Sequence, residues 1–343
     1  MIDEWDKDRI DLHQAGFLMQ PGRSKLILNM QRIQPAWLRE VVRQYLRQRI
    51  DLTAGSLCSQ LSSFVWFSKF LPNFPEVKAP AQVNRRLIQQ FISFITASRA
   101  ELTNAPLGAS RRAKILQHLS QLFDSQTDFP RLLIFKEDIP RAVRTTTPQW
   151  IPESVMAQLL AHQHALVEPY GAMLRVILEI GCRVGELCTL AIDCLSQDPS
   201  GDSYVTRVAH KQHKTVIVPV SSEIAQVIQV AQLRAKAQYG EGVVYLFPKN
   251  ALKPVFARTF NQRINEHIET QQITDDNGQL WHFTARQCRH TVATRLINSG
   301  VSQPTIQRFL GHETPRMTDV YAQIHDQTLK EAFFKYQNQI KTD

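Results

Sequence analysis

Residues 284–294 read TARQCRHTVAT, residues 310–312 read LGH, and Tyr321 follows nine positions after His312. About a hundred residues earlier, GCRVGEL stands at residues 181–187. The planar fork of arginine meets two phosphate oxygens and keeps its charge, and tyrosine can form a covalent phosphate ester. This set of arginines, a histidine and a late tyrosine therefore indicates attack of a phenol oxygen on a DNA phosphodiester, with the arginines stabilising the added negative charge.

In order and spacing these motifs resemble those of the tyrosine recombinases of the phage integrase family, over roughly residues 150–324. That family carries an arginine with an acidic residue three positions later, a lysine on a β-hairpin turn, a His-x-x-Arg-His block, a Leu-Gly-His and then the nucleophile. The residues that match these positions are Arg183, Glu186, Lys211, Arg289, His290, His312 and Tyr321. The resemblance implies cleavage of DNA by Tyr321 through a 3′-phosphotyrosyl intermediate.

The resemblance also implies a role for each matched residue. Arg183 and Arg289 would hold the scissile phosphate, and His312 would hydrogen-bond one of its oxygens. Lys211 would protonate the departing 5′ oxygen. Glu186 would orient the neighbouring side chains without contacting the phosphate, because a carboxylate in contact with the phosphate would repel it. No metal, nucleotide or other cofactor is expected, since arginines supply the positive charge.

One position departs from the family pattern, because Arg286 replaces the first histidine of the His-x-x-Arg block. Arginine can still bind the phosphate as a third cation, but it is a poor proton donor or acceptor near neutral pH. The proton transfers are therefore expected to depend on Lys211 and His312. His290 is expected to orient neighbouring side chains without contacting the phosphate. Since Arg286 and Arg289 are three positions apart on a helix, both are expected to point towards one phosphate.

The composition favours a protein that binds a polyanion. The 343-residue chain is 43% hydrophobic and carries a formal net charge of +9, with a pI of about 9.4. This length allows two domains with real cores, and the basic balance suits a protein that neutralises phosphates. Residues 23–49 hold seven basic residues and one acid. We expect Arg39, Arg43 and Arg47 in this stretch, and Lys214 later, to contact DNA; the alternative is a solubilising helix face.

The cysteines and histidines show no metal-binding pattern. None of the five cysteines forms a Cys-x-x-Cys pair, so reduced and mostly buried thiols are expected, as in a cytosolic protein. Histidines at 162 and 164, and at 210 and 213, lack companion ligands for zinc. We find neither a leader-like N-terminus nor a run of twenty apolar residues, which predicts a cytoplasmic, nucleoid-associated protein outside the membrane.

The pattern along the chain predicts a mainly α protein with a small β-sheet, of the α+β class. The resemblance implies that a helical core-binding domain precedes an integrase-type catalytic domain. The predicted divisions are an N-terminal extension at 1–33, a helical DNA-binding domain at 34–138, a linker at 139–150, a catalytic domain at 151–325 and a C-terminal helical tail at 326–343. The extension is expected to pack loosely.

Hydrophobic periodicity predicts four helices in the first half, the last three over residues 53–71, 84–97 and 110–123. In the second half, Pro152 and Pro169 mark helix starts, and Thr284 can cap the helix that carries Arg286. The one clear sheet signal is a hairpin over residues 205–219.

The last segment carries an apolar stripe at helical spacing, formed by Leu329, Phe333, Tyr336 and Ile340. Such a stripe can pack on its own domain. In the family such a tail often docks into a neighbouring subunit, so the resemblance implies a homo-oligomer, a tetramer on double-stranded DNA. Whether a companion recombinase is needed stays open.

These observations together predict a site-specific recombinase that integrates, excises or transposes a mobile element. Two alternatives stay open. A type IB topoisomerase uses the same chemistry and reseals the same strand, although the apolar tail and the motif order argue against it. A catalytically degenerate DNA-binding accessory factor is the other alternative, and Arg286 is its main support.

Overall fold

The computed structural model describes residues 3–19, 25–100, 104–141, 149–209, 214–312 and 314. The chain divides into two compact units, Met1–Thr145 and Thr146–Asp343, called here the first and second units. Helices dominate both units and the sheets are small, which confirms the predicted fold class. The finer domain bounds drawn from the sequence remain predictions. Among the described helices, none combines the length and apolar character needed to cross a bilayer.

Four long helices form the body of the first unit. They are α1 (Ala36–Gln48), α2 (Ala54–Phe70), α3 (Arg85–Ala97) and α4 (Ala109–Ser125). The last three lie within two residues of the predicted bounds. Local chemistry fixes two of the starts, because Thr53 and Asn84 each accept a backbone N–H of the first turn with their side chains. The helices enclose a core rich in phenylalanine, in which Phe67 packs edge-on against both Phe91 and Phe123.

The N-terminal segment belongs to this same core, which differs from the loosely packed extension that the sequence predicted. Strands β1 (Arg9–Asp11) and β2 (Ile27–Asn29) pair in antiparallel fashion. Trp5 is buried, and Ile10 and Leu28 are fully buried against the helical core. Two strands of three residues are too short to show an alternating pattern, which is why sequence reasoning missed them.

Seven helices of the second unit lie within the described residues. They are α5 (Glu153–His162), α6 (Tyr170–Ile180), α7 (Val184–Cys188), α8 (Ser222–Tyr239), α9 (Ala257–Gln271), α10 (Ala285–Asn298) and α11 (Gln303–Leu310). The central helix is α6, which packs against α8 and α10 and is buried over most of its length. It ends at Gly181, whose φ of +56° suits glycine.

A three-stranded antiparallel sheet lies beside these helices. Its strands are β3 (Leu195–Gln197), β4 (Ser203–Ala209) and β5 (Lys214–Val220), in the order β3-β4-β5. Ala209 pairs with Lys214, so β4 and β5 are the two arms of the predicted hairpin. Two shorter strands, β6 (Pro248–Asn250) and β7 (Lys253–Pro254), form a separate pair that was not predicted.

Candidate active site

Arg183 and Glu186 form the first half of the site at the start of α7. Arg183 is the residue that caps α7, directly after the turn at Gly181 and Cys182. Its guanidinium donates to Glu186 Oε1 over 2.7 Å, and its backbone N–H lies 3.3 Å from Glu186 Oε2. The Glu186 side chain is only 3% exposed, whereas that of Arg183 is 24% exposed. The buried carboxylate therefore fixes the direction of a more accessible arginine.

A second arginine, Arg207 on β4, shares the same carboxylate. It is fully buried, and one of its terminal nitrogens donates to Glu186 Oε2. Its other terminal nitrogen donates to the Phe309 carbonyl oxygen, near the end of α11, over 3.0 Å. Sequence reasoning missed Arg207, because a lone arginine in a hairpin strand is usually solvent-exposed.

Arg289 joins the ends of α6 and α11. One guanidinium nitrogen donates to the Gly181 carbonyl oxygen over 3.1 Å, and the other donates to the Leu310 carbonyl oxygen over 2.7 Å. The residue is buried within α10, one turn after Ala285 begins the helix. The orphan carbonyls of two helix ends are thus satisfied by one positive charge, which also complements the negative ends of the helix dipoles.

His312 stands beside this cluster. Gly311 ends α11 in the left-handed region, and the backbone N–H of His312 returns to the Gln307 carbonyl oxygen over 2.8 Å. Burial, reinforced by the positive charges of Arg289 and Arg183, lowers the pKa of His312 to about 3. The imidazole is therefore neutral at physiological pH.

Arg286 and His290 form a pair on the outer face of α10. Arg286 Nε donates to His290 Nε2 over 3.1 Å. Burial, with the charges of Arg286 and Arg289, lowers the pKa of His290 to about 4. Arg286 is exposed while Arg289 is buried, so the two arginines lie at different depths on α10.

The structure therefore brings together six of the predicted site residues. They are Arg183, Glu186, Arg286, Arg289, His290 and His312. Lys211 and the nucleophile candidate Tyr321 lie outside the described residues. Lys214, predicted to contact DNA, is exposed at the first position of β5. Within the part of the chain that the structure describes, no cluster of three His, Cys, Asp or Glu side chains is suited to a metal ion.

The N-terminal segment contacts arginines of the α1 row, which consists of Arg39, Arg43 and Arg47. Arg43 donates to the carbonyl oxygens of Trp5 and Lys7, the latter over 2.8 Å. Arg47 pairs with Asp3. The DNA contacts expected of this row remain a prediction, and sequence spacing gave no sign that the chain's own acids and carbonyl oxygens contact these arginines.

A second cationic row on α4 was missed. Arg111, Lys114 and His118 follow one another at helical spacing and so share a face. Burial, together with the positive charges of Lys114, Arg111 and Arg49, lowers the pKa of His118 to about 4. The His118 ring nitrogen Nδ1 lies 2.9 Å from the Ser63 hydroxyl on α2. The i, i+3, i+7 spacing of basic residues was the signal available in the sequence.

The chain is similar in sequence to several known proteins. The sequence model of the phage integrase family matches residues 149–328, which is more than half of the chain. Transposase B from transposon Tn554 of Staphylococcus aureus is 33% identical over 349 aligned positions, which cover 99% of this chain and 54% of the transposase. The chain thus spans about half the length of its transposase relatives. Tyrosine recombinase XerD of Pasteurella multocida is 26% identical over 69% of this chain and 79% of that protein.

Solved structures share the fold. XerH recombinase bound to a palindromic difH substrate, in a post-cleavage complex, superposes with a TM-score of 0.66 at 14% identity, covering 86% of this chain and 84% of XerH. The Tn1549 transposon integrase in complex with transposon right end DNA gives a TM-score of 0.59 at 16% identity, covering 83% of this chain and 94% of that one. Because the family model matches more than half of this chain, the chain belongs to the phage integrase family.

Proposed function

We propose that this protein is a site-specific recombinase that cleaves and rejoins double-stranded DNA. The Tyr321 oxygen attacks the scissile phosphorus, the P–O bond to the 5′ oxygen breaks, and a 3′-phosphotyrosyl bond forms. The leaving 5′ oxygen takes up one proton and Tyr321 gives up one. The 5′-hydroxyl of a partner strand then attacks the phosphotyrosyl bond, which reseals the backbone and returns the proton to Tyr321.

The observation that carries this proposal is the convergence of Arg183, Arg289 and His312. Arg289 is fixed by two carbonyl oxygens, and Arg183 is fixed by the buried Glu186 carboxylate. Both charges act on His312, which stands nine residues before Tyr321. Preorganised cations of this kind stabilise the extra negative charge of a pentacoordinate phosphate without rearranging during the reaction.

The proton transfers are assigned to Lys211 and His312. Lys211 protonates the leaving 5′ oxygen. His312 is assigned to accept the Tyr321 proton, because the negative charge of a bound phosphate opposes the arginine charges that lower the pKa of His312 in the DNA-free protein. The Nε2 lone pair of His290 is engaged by Arg286, so His290 is less suited to this step and serves to orient Arg286. Arg286 contributes charge to the phosphate in place of the family histidine.

DNA contacts in the first unit are assigned to two rows of cations. The principal contact is assigned to the α4 row of Arg111 and Lys114, two basic residues that lie one helical turn apart. The α1 row of Arg39, Arg43 and Arg47 adds to binding, with Arg47 exchanging its Asp3 partner for a phosphate. Lys214 in the second unit adds one further backbone contact. Such contacts give affinity without base readout.

The biological role proposed is transposition or integration of a mobile element, supported by the likeness to a transposase over nearly the whole chain. The active form is a homo-oligomer, a tetramer on DNA, joined through residues 326–343. It works on DNA in the cytoplasm, in association with the nucleoid. A companion recombinase is a further proposed partner, to be tested by adding other recombinases of the same element.

Covalent trapping on DNA tests the chemistry. Native protein is incubated with nicked duplexes taken from DNA that flanks the gene, and a denaturant-resistant protein–DNA band is sought. Tyr321→Phe should abolish the band. The matched control is Tyr239→Phe, which removes a hydroxyl that donates to the Lys249 carbonyl oxygen and should leave the band unchanged.

The same assay separates the alternatives. DNA binding without any covalent band would favour an accessory factor. A covalent band together with relaxation of supercoiled DNA that lacks a partner site would favour a type IB topoisomerase. Exchange of strands between two duplexes, dependent on Tyr321, is the result expected of a recombinase.

A further inference from the structure

Arg207 occupies an unusual place for a charged side chain. It lies on the inward face of β4, with Val205 and Ala209 as its buried neighbours on that face. Its side chain is 0% exposed in a pair whose other member, Glu186, is 3% exposed. Arginine is almost never fully buried unless it is paired. The position therefore has a specific requirement for its charge or its geometry.

The two ends of the Arg207 guanidinium serve different elements. One end donates to Glu186 Oε2 on α7, while Glu186 Oε1 accepts from Arg183. The other end donates to the Phe309 carbonyl oxygen on α11, 102 positions along the chain. A continuous series of hydrogen bonds thus runs from Arg183 through Glu186 and Arg207 to the end of α11.

The Arg207 guanidinium also lies close to Gly311, the residue of the turn that precedes His312. A methyl group built at Gly311 would lie 3.6 Å from a terminal nitrogen of Arg207 and 3.2 Å from Val216 Cγ2. Val216 is the residue paired with Arg207 across the hairpin. The backbone of Gly311 therefore rests directly on this strand pair. Any displacement of Arg207 is transmitted to the residue immediately before His312.

Stability alone does not explain an arginine here. Desolvating two charges costs about as much as their attraction returns, so well-packed apolar side chains of similar volume often stabilise a core as well or better. A geometric role does explain it, because a planar fork can hold two acceptors on separate elements at a fixed angle.

We propose that Arg207 is a positioning residue that sets Arg183 and His312 in register for the same phosphate. It acts through Glu186 on one side and through the end of α11 on the other. This inference rests on the proposed function, in which Arg183 stabilises the charge of the scissile phosphate and His312 accepts the Tyr321 proton beside it.

The test compares three variants with native protein on the nicked duplex that native protein cleaves. Arg207→Lys keeps the charge and loses the fork, Arg207→Met keeps the bulk and loses both, and Arg234→Met is the matched control. Arg234 lies on α8, is 48% exposed and pairs with Glu168. The measurements are DNA affinity, the single-turnover rate of covalent adduct formation, and the melting temperature of each variant.

Both Arg207 variants should bind DNA as native protein does and form the adduct about 100-fold more slowly, with Arg207→Lys the less impaired. Arg234→Met should match native protein in rate. Folded Arg207 variants that cleave at the native rate would overturn the proposal, since Arg207 would then serve stability alone.

Two further measurements keep the proposal testable in every case. If the Arg207 variants do not fold, Glu186→Gln removes the charge that joins Arg207 to Arg183, and an unaltered cleavage rate in that variant overturns the proposal. If native protein itself cleaves no DNA, the proposed function fails separately. The His312 Cε1–H resonance is then compared in native protein and Arg207→Lys without DNA. An unshifted resonance would overturn the positioning role, and a shifted one supports it.

Discussion

Arg289 donates to the carbonyl oxygen of Leu310 over 2.7 Å, although the two residues lie 21 positions apart on separate helices. The same guanidinium reaches the Gly181 carbonyl oxygen at the end of α6. One side chain of α10 thus ties the ends of two neighbouring helices together. Arg183 follows one of these ends by two residues, and His312 follows the other by two.

Replacing Arg289 by lysine should break one of these two ties. Lysine is a single point donor, so one buried carbonyl oxygen loses its partner, and we expect the free energy of unfolding to fall by about 1–3 kcal/mol. Urea denaturation measures this loss. Arg295→Lys on the same helix is the control, since its exposed pair with Glu153 should cost only about 0–1 kcal/mol. Equal losses in the two variants would contradict the bridging role of Arg289.

Gly181→Ala should be strongly destabilising. The φ of +56° disfavours any side chain, and a Cβ there would lie 2.9 Å from Val292 Cβ. Backbone strain and overpacking together predict a loss of about 2–4 kcal/mol. Gly185→Ala is the matched control, because its Cβ would meet nothing within 4 Å and α7 should gain about 0.5 kcal/mol. Thermal or urea unfolding of both variants decides the comparison, and similar stabilities for the two would refute it.

The stability of the DNA-free protein should fall in mild acid, in part through His312. Its pKa of about 3 in the folded state lies below its ordinary value of about 6.5. As pH falls through this window, the unfolded chain takes up a proton that the folded chain excludes, so folding becomes less favourable. Above about pH 6.5 the effect vanishes.

The melting temperature should therefore decline between pH 6.5 and pH 4 more steeply in native protein than in His312→Asn. His290, with a folded pKa of about 4, adds a parallel decline that both proteins share. A direct check is the NMR titration of the His312 ring. A midpoint near the ordinary histidine value would contradict the burial and charge effects inferred for this site.

The cationic rows of the first unit should respond differently to mutation. Arg111→Gln with Lys114→Gln should weaken DNA binding and reduce the slope of log affinity against log salt by about 1.8, at about 0.9 per phosphate contact. Arg43→Gln should instead lower the free energy of unfolding by about 1–3 kcal/mol, because two carbonyl oxygens lose their donor. Gel-shift titrations at several salt concentrations, with urea unfolding, separate the two effects. A reduced salt slope in Arg43→Gln at native stability would identify α1 as the main DNA face.

Local patterns account for most of what could be predicted. Helices α2, α3 and α4 follow from apolar periodicity and from caps such as Thr53 and Asn84, and the hairpin of β4 and β5 follows from its alternation. The pairing of Arg183 with Glu186 is also local, because three positions on a helix start bring the two side chains together.

Two of the missed features depend on residues distant in sequence. The burial of Arg207 needs a carboxylate 21 positions earlier and a carbonyl oxygen 102 positions later, and neither can be read from the strand itself. Likewise, the arginines of α1 lie at a helical spacing that the sequence shows, but Arg47 contacts Asp3, which is 44 positions away in the sequence. Spacing within one helix or strand predicts which residues lie on the same face. The contacts of that face depend on how the helices and strands pack together.

Glu186 also sets the charge balance of the site. The guanidinium groups of Arg183, Arg207 and Arg289 carry three positive charges, this carboxylate removes one, and the lowered pKa values of His290 and His312 keep both rings uncharged near neutral pH. A resting phosphodiester, with one negative charge, leaves these side chains one charge in surplus, and the proposed contacts of Arg286 and Lys211 would add two more positive charges. The pentacoordinate species, with about two negative charges, therefore offsets more of the positive charge than the resting phosphodiester does. The cluster thus favours the transition state over the bound DNA.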